Sequence, residues 1–223
     1  MQNNIKLFDK IDDNDMHSML SCIGSYSKSY DKGEFIVVAG DHIEHIGVML
    51  SGAVTVIKED AFGGRHIKAT IKKNDLFAHS IVCAGLTESP VSILAEVDCT
   101  VLFMSMKKTL LTCNNACSFH SQLVLNLVSI LANKNLALDK KTDYLLAKTV
   151  KQKVAKYLCD CISLQNSLVV DVGYNRNDLA EFLGVERSVL SRELSKMKKE
   201  GTIDFKKKMF EILDHEHMNE LAV

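Results

Sequence analysis

Arg187, Ser188, Ser191 and Arg192 are two forked cations and two short hydroxyls, set one helical turn apart. These side-chain types suit base edges and phosphates in the major groove of duplex DNA. Just upstream, Ala180 stands four positions before Gly184, and Leu190 follows six positions later. Two helices that cross sharply need a small residue, a tight turn and a core contact in that order. Leu179, Leu183, Val185 and Leu194 supply the rest of a buried face. The spacing predicts a helix-turn-helix whose second helix runs over 187–199, with Arg176 and Lys196 as further phosphate or base contacts. From Arg187 to Lys208 there are eight Lys or Arg (187, 192, 196, 198, 199, 206, 207, 208) against three acids (193, 200, 204). Such a local excess is what phosphate contacts require.

The whole chain does not share that charge. Its 223 residues carry a formal net charge of −1, with 47% apolar and 25% charged residues, which is the composition of a globular protein with ample core. The start, MQNNIKLFDK, has no basic region leading into an apolar run, so no secretory signal is expected. No run reaches the ~18 apolar residues of a membrane span. Seven cysteines lie scattered without framework spacing, which points to a reducing cytoplasm. Ser, His and Asp residues are dispersed without an elbow or a metal-ligand pattern, so no enzyme is expected.

The elements that must position the basic helix follow from periodicity. Residues 5–24 form an amphipathic helical lead-in. From Tyr26 to about Met106 come short β-branched runs at 35–38, 46–50, 53–59, 66–71, 91–97 and 100–104, with Gly63-Gly64 as a hairpin turn. Strands so spaced predict a barrel or sandwich. A helix over about Ala116–Asp139 places Val124, Val128, Leu131, Asn135 and Leu138 on a coiled-coil seam, extended upstream by Cys117 and Ser121. Asn135 would be the buried polar residue that sets register in a parallel homodimer. The pattern stays helical from Thr142 to Cys161, then gives a strand at 168–172, the two reader helices, and a hairpin over 201–213 with three lysines at its tip.

These elements in this order resemble the Crp/Fnr family of bacterial transcription regulators. The resemblance rests on Gly33-Glu34, Ser51-Gly52-Ala53-Val54 and Asn74-Asp75-Leu76-Phe77 in the first half. In the second it rests on Arg176-Asn177-Asp178-Leu179-Ala180 and Val185-Glu186-Arg187-Ser188-Val189-Leu190-Ser191-Arg192. It implies an α+β fold: a jelly-roll-like double-stranded β-helix as sensor (1–112), a dimerisation helix (113–141) and a winged helix-turn-helix (142–223). It further implies an effector-responsive homodimer on palindromic promoter DNA, with RNA polymerase as a partner. The family commonly has a glutamate where Ser188 stands, which leaves the half-site open.

By the same resemblance the effector pocket comprises Phe77, Ala78, His79, Ser80, Ser89 and Pro90. Cyclic-AMP-binding members follow the phenylalanine with Gly-Glu and later carry Arg-Ser. Here the segments read Ala78-His79-Ser80 and Glu88-Ser89-Pro90-Val91, without the arginine. An anionic phosphate would lose its strongest partner, so ordinary cyclic-nucleotide binding is not expected. The effector is open. Alternatives are a constitutive DNA-binding regulator with a degenerate pocket, and a haem, thiol or gas sensor of the same fold. Four thiolates, Cys83, Cys99, Cys113 and Cys117, are the candidate set for zinc or an iron–sulfur cluster, but the iron–sulfur members carry a tight N-terminal cysteine group, and here Cys22 stands alone there. His79 follows close on Phe77, as a histidine does in a carbon-monoxide-sensing relative, yet one histidine does not make a haem site. Core packing is the expected role of the cysteines.

Overall fold

The computed structural model describes residues 5–60, 64–110 and 118–222. The chain divides into two compact units, Met1–Asn133 and Lys134–Val223. The first opens with a 3-10 turn, Lys6–Phe8, and helix α1, Asp13–Cys22. The lead-in is thus two pieces rather than one helix. Lys10 between them sits at φ 60°, in the left-handed region, where a right-handed helix cannot continue.

Strands β1 (Tyr26–Tyr30), β2 (Phe35–Val37), β3 (His45–Ser51), β4 (Ala53–Glu59), β5 (Arg65–Lys72) and β6 (Leu76–Phe77) follow. A short helix α2 (His79–Cys83), strands β7 (Ser92–Ala95) and β8 (Cys99–Ser105) and helix α3 (Met106–Leu110) complete the β-unit. The strands form two antiparallel four-stranded sheets, β1-β8-β3-β6 and β2-β7-β4-β5. Four elements escape the periodicity: β1 (YSKSY), whose first four residues are exposed, the two-residue β6, α2 and α3. Gly63 of the expected turn lies outside the described residues, while pairing between β4 and β5 runs as far as Glu59 opposite Arg65.

The runs IGVML and TVLFM are continuous because β3 and β8 are covered on both faces. Met49, Val101 and Phe103 face an inner core with Tyr30, Val37, Val54, Phe77, Ile93 and Ala95. Ile46, Val48, Leu102 and Met104 face the other way, onto Leu7, Phe8, Met19, Leu123 and Leu127. Gly47 lets the inner core close: a Cβ there would lie 2.1 Å from the Phe77 ring.

Helix α4 spans Ser118–Leu146 without interruption. It runs seven residues past the expected end at Asp139, and the division between the two compact units falls within it. The helical pattern from Thr142 is therefore shared between the end of α4 and a new helix, α5 (Val150–Gln165). Thr149 causes the restart, accepting from the Gln152 N–H at 3.1 Å while the Gln152 side chain reciprocates. Next come β9 (Val169–Asp171), α6 (Arg176–Phe182), α7 (Arg187–Lys199), β10 (Ile203–Lys206), β11 (Met209–Ile212) and a terminal α8 (His215–Leu221), which periodicity did not reveal. The small sheet has the order β10-β11-β9.

In its first half α4 buries Leu123, Asn126 and Leu127. The expected seam lies roughly a quarter-turn round the helix. Val124 and Leu131 are half-buried, and Val128, Asn135 and Leu138 are exposed. Asn135 is thus not a buried polar residue within one chain; its Nδ2 donates to Asp139 Oδ2 at 3.5 Å. Asn126 takes the buried position, donating to the carbonyls of Leu7 at 2.9 Å and Asp9 at 2.7 Å and accepting from Gln122. Asn126→Ala strands two carbonyls of the lead-in, and a loss of about 2 kcal/mol in unfolding free energy is expected by urea titration.

Candidate nucleic-acid interface

The reader is built on Gly184. Its φ of +63° makes the turn between α6 and α7, and a side chain there would be strained and would meet Leu145. Asn175 starts α6 by accepting from the N–H groups of Asn177 at 2.9 Å and Asp178 at 3.1 Å. Leu179, Ala180, Leu183, Leu190, Leu194 and Met197 are buried, and Val185 packs against the same core. The expected buried face is the observed one.

Arg187, Ser188 and Arg192 are left on the exposed side of α7, with Ser191 half-buried between them. Ser191, Arg192, Ser195, Lys196 and Lys199 line one cleft along the helix. Among the described residues no carboxylate lies within ion-pair distance of Arg187, Arg192 or Lys199. The other cations of the segment differ. Lys198 pairs with Asp204, and Lys196 lies 4.0 Å from Glu200, which is held more closely by Lys151 at 2.8 Å. The Lys151 contact keeps the Glu200 carboxyl below its ordinary range, and Lys198 does the same for Asp204. Lys206, Lys207 and Lys208 are exposed at the hairpin tip, where Lys208 donates to the Gly173 carbonyl at 3.2 Å.

Arg176 does not join the α7 face. Its guanidinium lies over the rings of Phe205, 4.6 Å away, and Phe210, 5.2 Å away, and burial lowers its pKa. It fastens α6 to the β10–β11 hairpin. Two aromatics not singled out from the sequence make that contact possible, since neither reads as a partner of residue 176 without the fold.

A second such cluster joins the end of α4 to the reader. Tyr144 is buried and its hydroxyl donates to Asp160, which also pairs with Lys140 at 3.2 Å. Lys153 donates to the carbonyls of Tyr144 at 3.1 Å and Leu145 at 2.6 Å, closing the last turn of α4. The Tyr144 ring meets Tyr157 edge-on and lies 5.8 Å from Phe182, on which Tyr174 stacks. Burial first, and Asp160 second, push the Tyr144 phenol far above its ordinary pKa, so it remains a donor.

In the β-unit the expected pocket residues divide. Phe77, Ala78, His79 and Ser89 are buried, whereas Ser80 and Pro90 are exposed. Phe77 packs edge-on against Phe103 at 6.3 Å and fills the inner core. Ala78 takes the left-handed φ of 60° and leads into α2. The Ser89 hydroxyl donates to the Val91 carbonyl at 2.7 Å. No lysine or arginine is buried among the described residues, so a cyclic phosphate finds no enclosed cation here. These residues do not fit an ordinary cyclic nucleotide. Cys113 and Cys117 lie outside the described residues. Burial raises the thiols of Cys99, Cys159 and Cys161, which favours the unreactive protonated form. Among the described residues no three His, Cys, Asp or Glu side chains converge as metal ligands. No helix there is long and apolar enough to cross a membrane.

A double-stranded β-domain, a long helix and a winged helix-turn-helix define a DNA-binding transcription regulator. Comparison with known sequences agrees: residues 27–115 match the cyclic nucleotide-binding domain model, and residues 152–221 match the Crp-like helix-turn-helix domain model. The chain is 23% identical over 194 residues to the cAMP-activated global transcriptional regulator Vfr of Pseudomonas aeruginosa, covering 82% of this chain and 87% of that one. Among solved structures it is similar to the catabolite activator protein of Thermus thermophilus (TM-score 0.54, 20% identity, 97% and 98% of the two chains). It is also similar to a CooA variant from Carboxydothermus hydrogenoformans (TM-score 0.59, 19% identity, 92% and 90%). The chain belongs to the Crp/Fnr family of transcription regulators.

Lys207 gives a test of the hairpin tip. It holds a left-handed φ of 56° in a two-residue turn, between the paired Lys206 and Met209. Glycine adopts that conformation without steric cost, so Lys207→Gly is expected to gain about 0.5–1 kcal/mol of stability. If the tip meets a phosphate, the same change lowers the salt slope of DNA binding by about 1, read from titrations at several salt concentrations.

Proposed function

We propose that the protein is a homodimeric regulator that binds inverted-repeat promoter DNA through α7. The carrying observation is the exposed face of that helix, where Arg187 and Arg192 have no acidic partner among the described residues and flank Ser188 and Ser191. Two such helices must stand about 34 Å apart to enter successive major grooves on one side of a duplex. Exposed apolar residues on α4 support the dimer: Val128 and Leu138 on the expected seam, with Leu125 and Leu136 beside them. The exposed hairpin lysines are assigned to phosphates at the flanks of the site, with Arg176 supporting the hairpin through Phe205 and Phe210. RNA polymerase is the further partner this reading implies, and the cytoplasm its compartment.

The β-unit would set affinity by biasing α4, without touching bases. Its effector is assigned to a class without a cyclic phosphate, because Phe77 and Phe103 pack in the inner core and no cation is enclosed among the described residues. The same observation favours a second reading, a regulator that binds DNA constitutively; promoter affinity unchanged by cell metabolites or oxidants would support that one. The test of the main reading is titration of a palindromic promoter fragment. Arg192→Ala is expected to weaken binding by about 1–3 kcal/mol, or 5- to 150-fold at moderate salt. Equal affinities for the two proteins, or a monomer by sedimentation, would overturn the proposal.

A further inference from the structure

Three helices of the second unit begin with a side chain that accepts from their own backbone: Thr149 on α5, Asn175 on α6 and Asp214 on α8. The recognition helix does not. Glu186, at the cap position of α7, accepts no bond from a backbone N–H of the first turn. Its Oε2 instead accepts from Ser188 Oγ at 3.4 Å. Both residues are exposed, and among the described residues no cation lies within ion-pair distance of Glu186, although Arg187 is its neighbour. A carboxylate with neither a capping nor an ion-pairing role thus stands at the end of α7 that a helix-turn-helix directs at base edges.

That position is costly near DNA. A carboxylate among phosphates is repelled, and it recovers the loss only where it meets hydrogen-bond donors. In the major groove the donors are the exocyclic amino groups, N4 of cytosine and N6 of adenine. Ser188 alone would be ambiguous, because a hydroxyl donates or accepts with equal ease. With its single proton committed to Glu186, it turns only lone pairs outward.

Resting on the DNA-binding reading above, we infer that Glu186 is a specificity-determining residue. It makes the Glu186–Ser188 pair an acceptor-only surface that selects an amino-bearing base, cytosine or adenine, at one position of each half-site. Guanine and thymine present acceptors or a methyl group at their major-groove edges, and these the pair rejects.

The experiment is selection of sites from a randomised inverted-repeat duplex pool by the full-length chain and by Glu186→Ala and Ser188→Ala, followed by affinities for single-base variants. The wild type is expected to prefer cytosine or adenine at one symmetric position by about 5-fold or more. Glu186→Ala should flatten that position alone, while raising affinity for unrelated duplex because a repelling charge is gone. Ser188→Ala should flatten the same position without that general gain. Because Glu186 makes no cap bond, its alanine variant should melt with the wild type, and Glu186→Asp should restore part of the preference. An unchanged profile in Glu186→Ala, or equal losses at every position, would overturn the inference while leaving the DNA-binding reading intact. Selection of no inverted repeat by the wild type would instead overturn that reading, and the inference with it.

Discussion

The buried hydroxyl of Tyr144 is the contact through which the reader is held to the end of α4. It donates to Asp160 on α5, and its ring is wedged against Tyr157 and Phe182. A hydrogen bond to a charged acceptor contributes on the order of 1.5–3 kcal/mol, more than a surface ion pair, and burial protects it from competing water. Lys153, bonded to the last carbonyls of α4, prevents that helix from fraying just where the tyrosine sits. The last turns of α4, α5 and α6 therefore move as one piece. Since α7 is joined to α6 by the single tight turn at Gly184, whatever rotates the end of α4 rotates the recognition helix with it.

The β-unit solves a different problem. Its two central strands are covered on both faces, and the rings of Tyr30, Phe77 and Phe103 pack into the inner core. Phe77 occupies that core only because Gly47 opposite has no side chain. The polar groups beneath it are neutral in the main, and several are committed to nearby backbone, as Ser89 is to Val91. Among the described residues this core encloses no lysine or arginine to meet a phosphate. The lead-in segment is secured to the first half of α4 by a buried amide, Asn126, so the β-unit and the helix share a polar joint as well as an apolar one.

Charge explains how a chain of net charge −1 presents a nucleic-acid surface. The acids near α7 are not spread evenly: Glu200 and Asp204 neutralise lysines at its C-terminal end. Arg187 and Arg192, toward its start, are left uncompensated. Among the described residues the cations of α7 without an acidic partner are Arg187, Arg192 and Lys199, so unpaired positive charge runs along the outward face of the helix.

Much of this was legible in the residue order. Periodicity gives most of the strands, the long helix and the two reader helices, and the small residue, glycine and leucine around 180–190 give their crossing, because these are local demands of backbone geometry and of the first packing layer. The resemblance carried by the same residues gives the family. The pairings of distant side chains are another matter. That Arg176 rests on Phe205 and Phe210, that Asn126 is an amide buried within the chain, and that α4 continues to Leu146 depend on which groups meet after folding. A side chain's type states what it can bond, but only the tertiary structure brings a particular partner within reach and removes the water that would otherwise take its place.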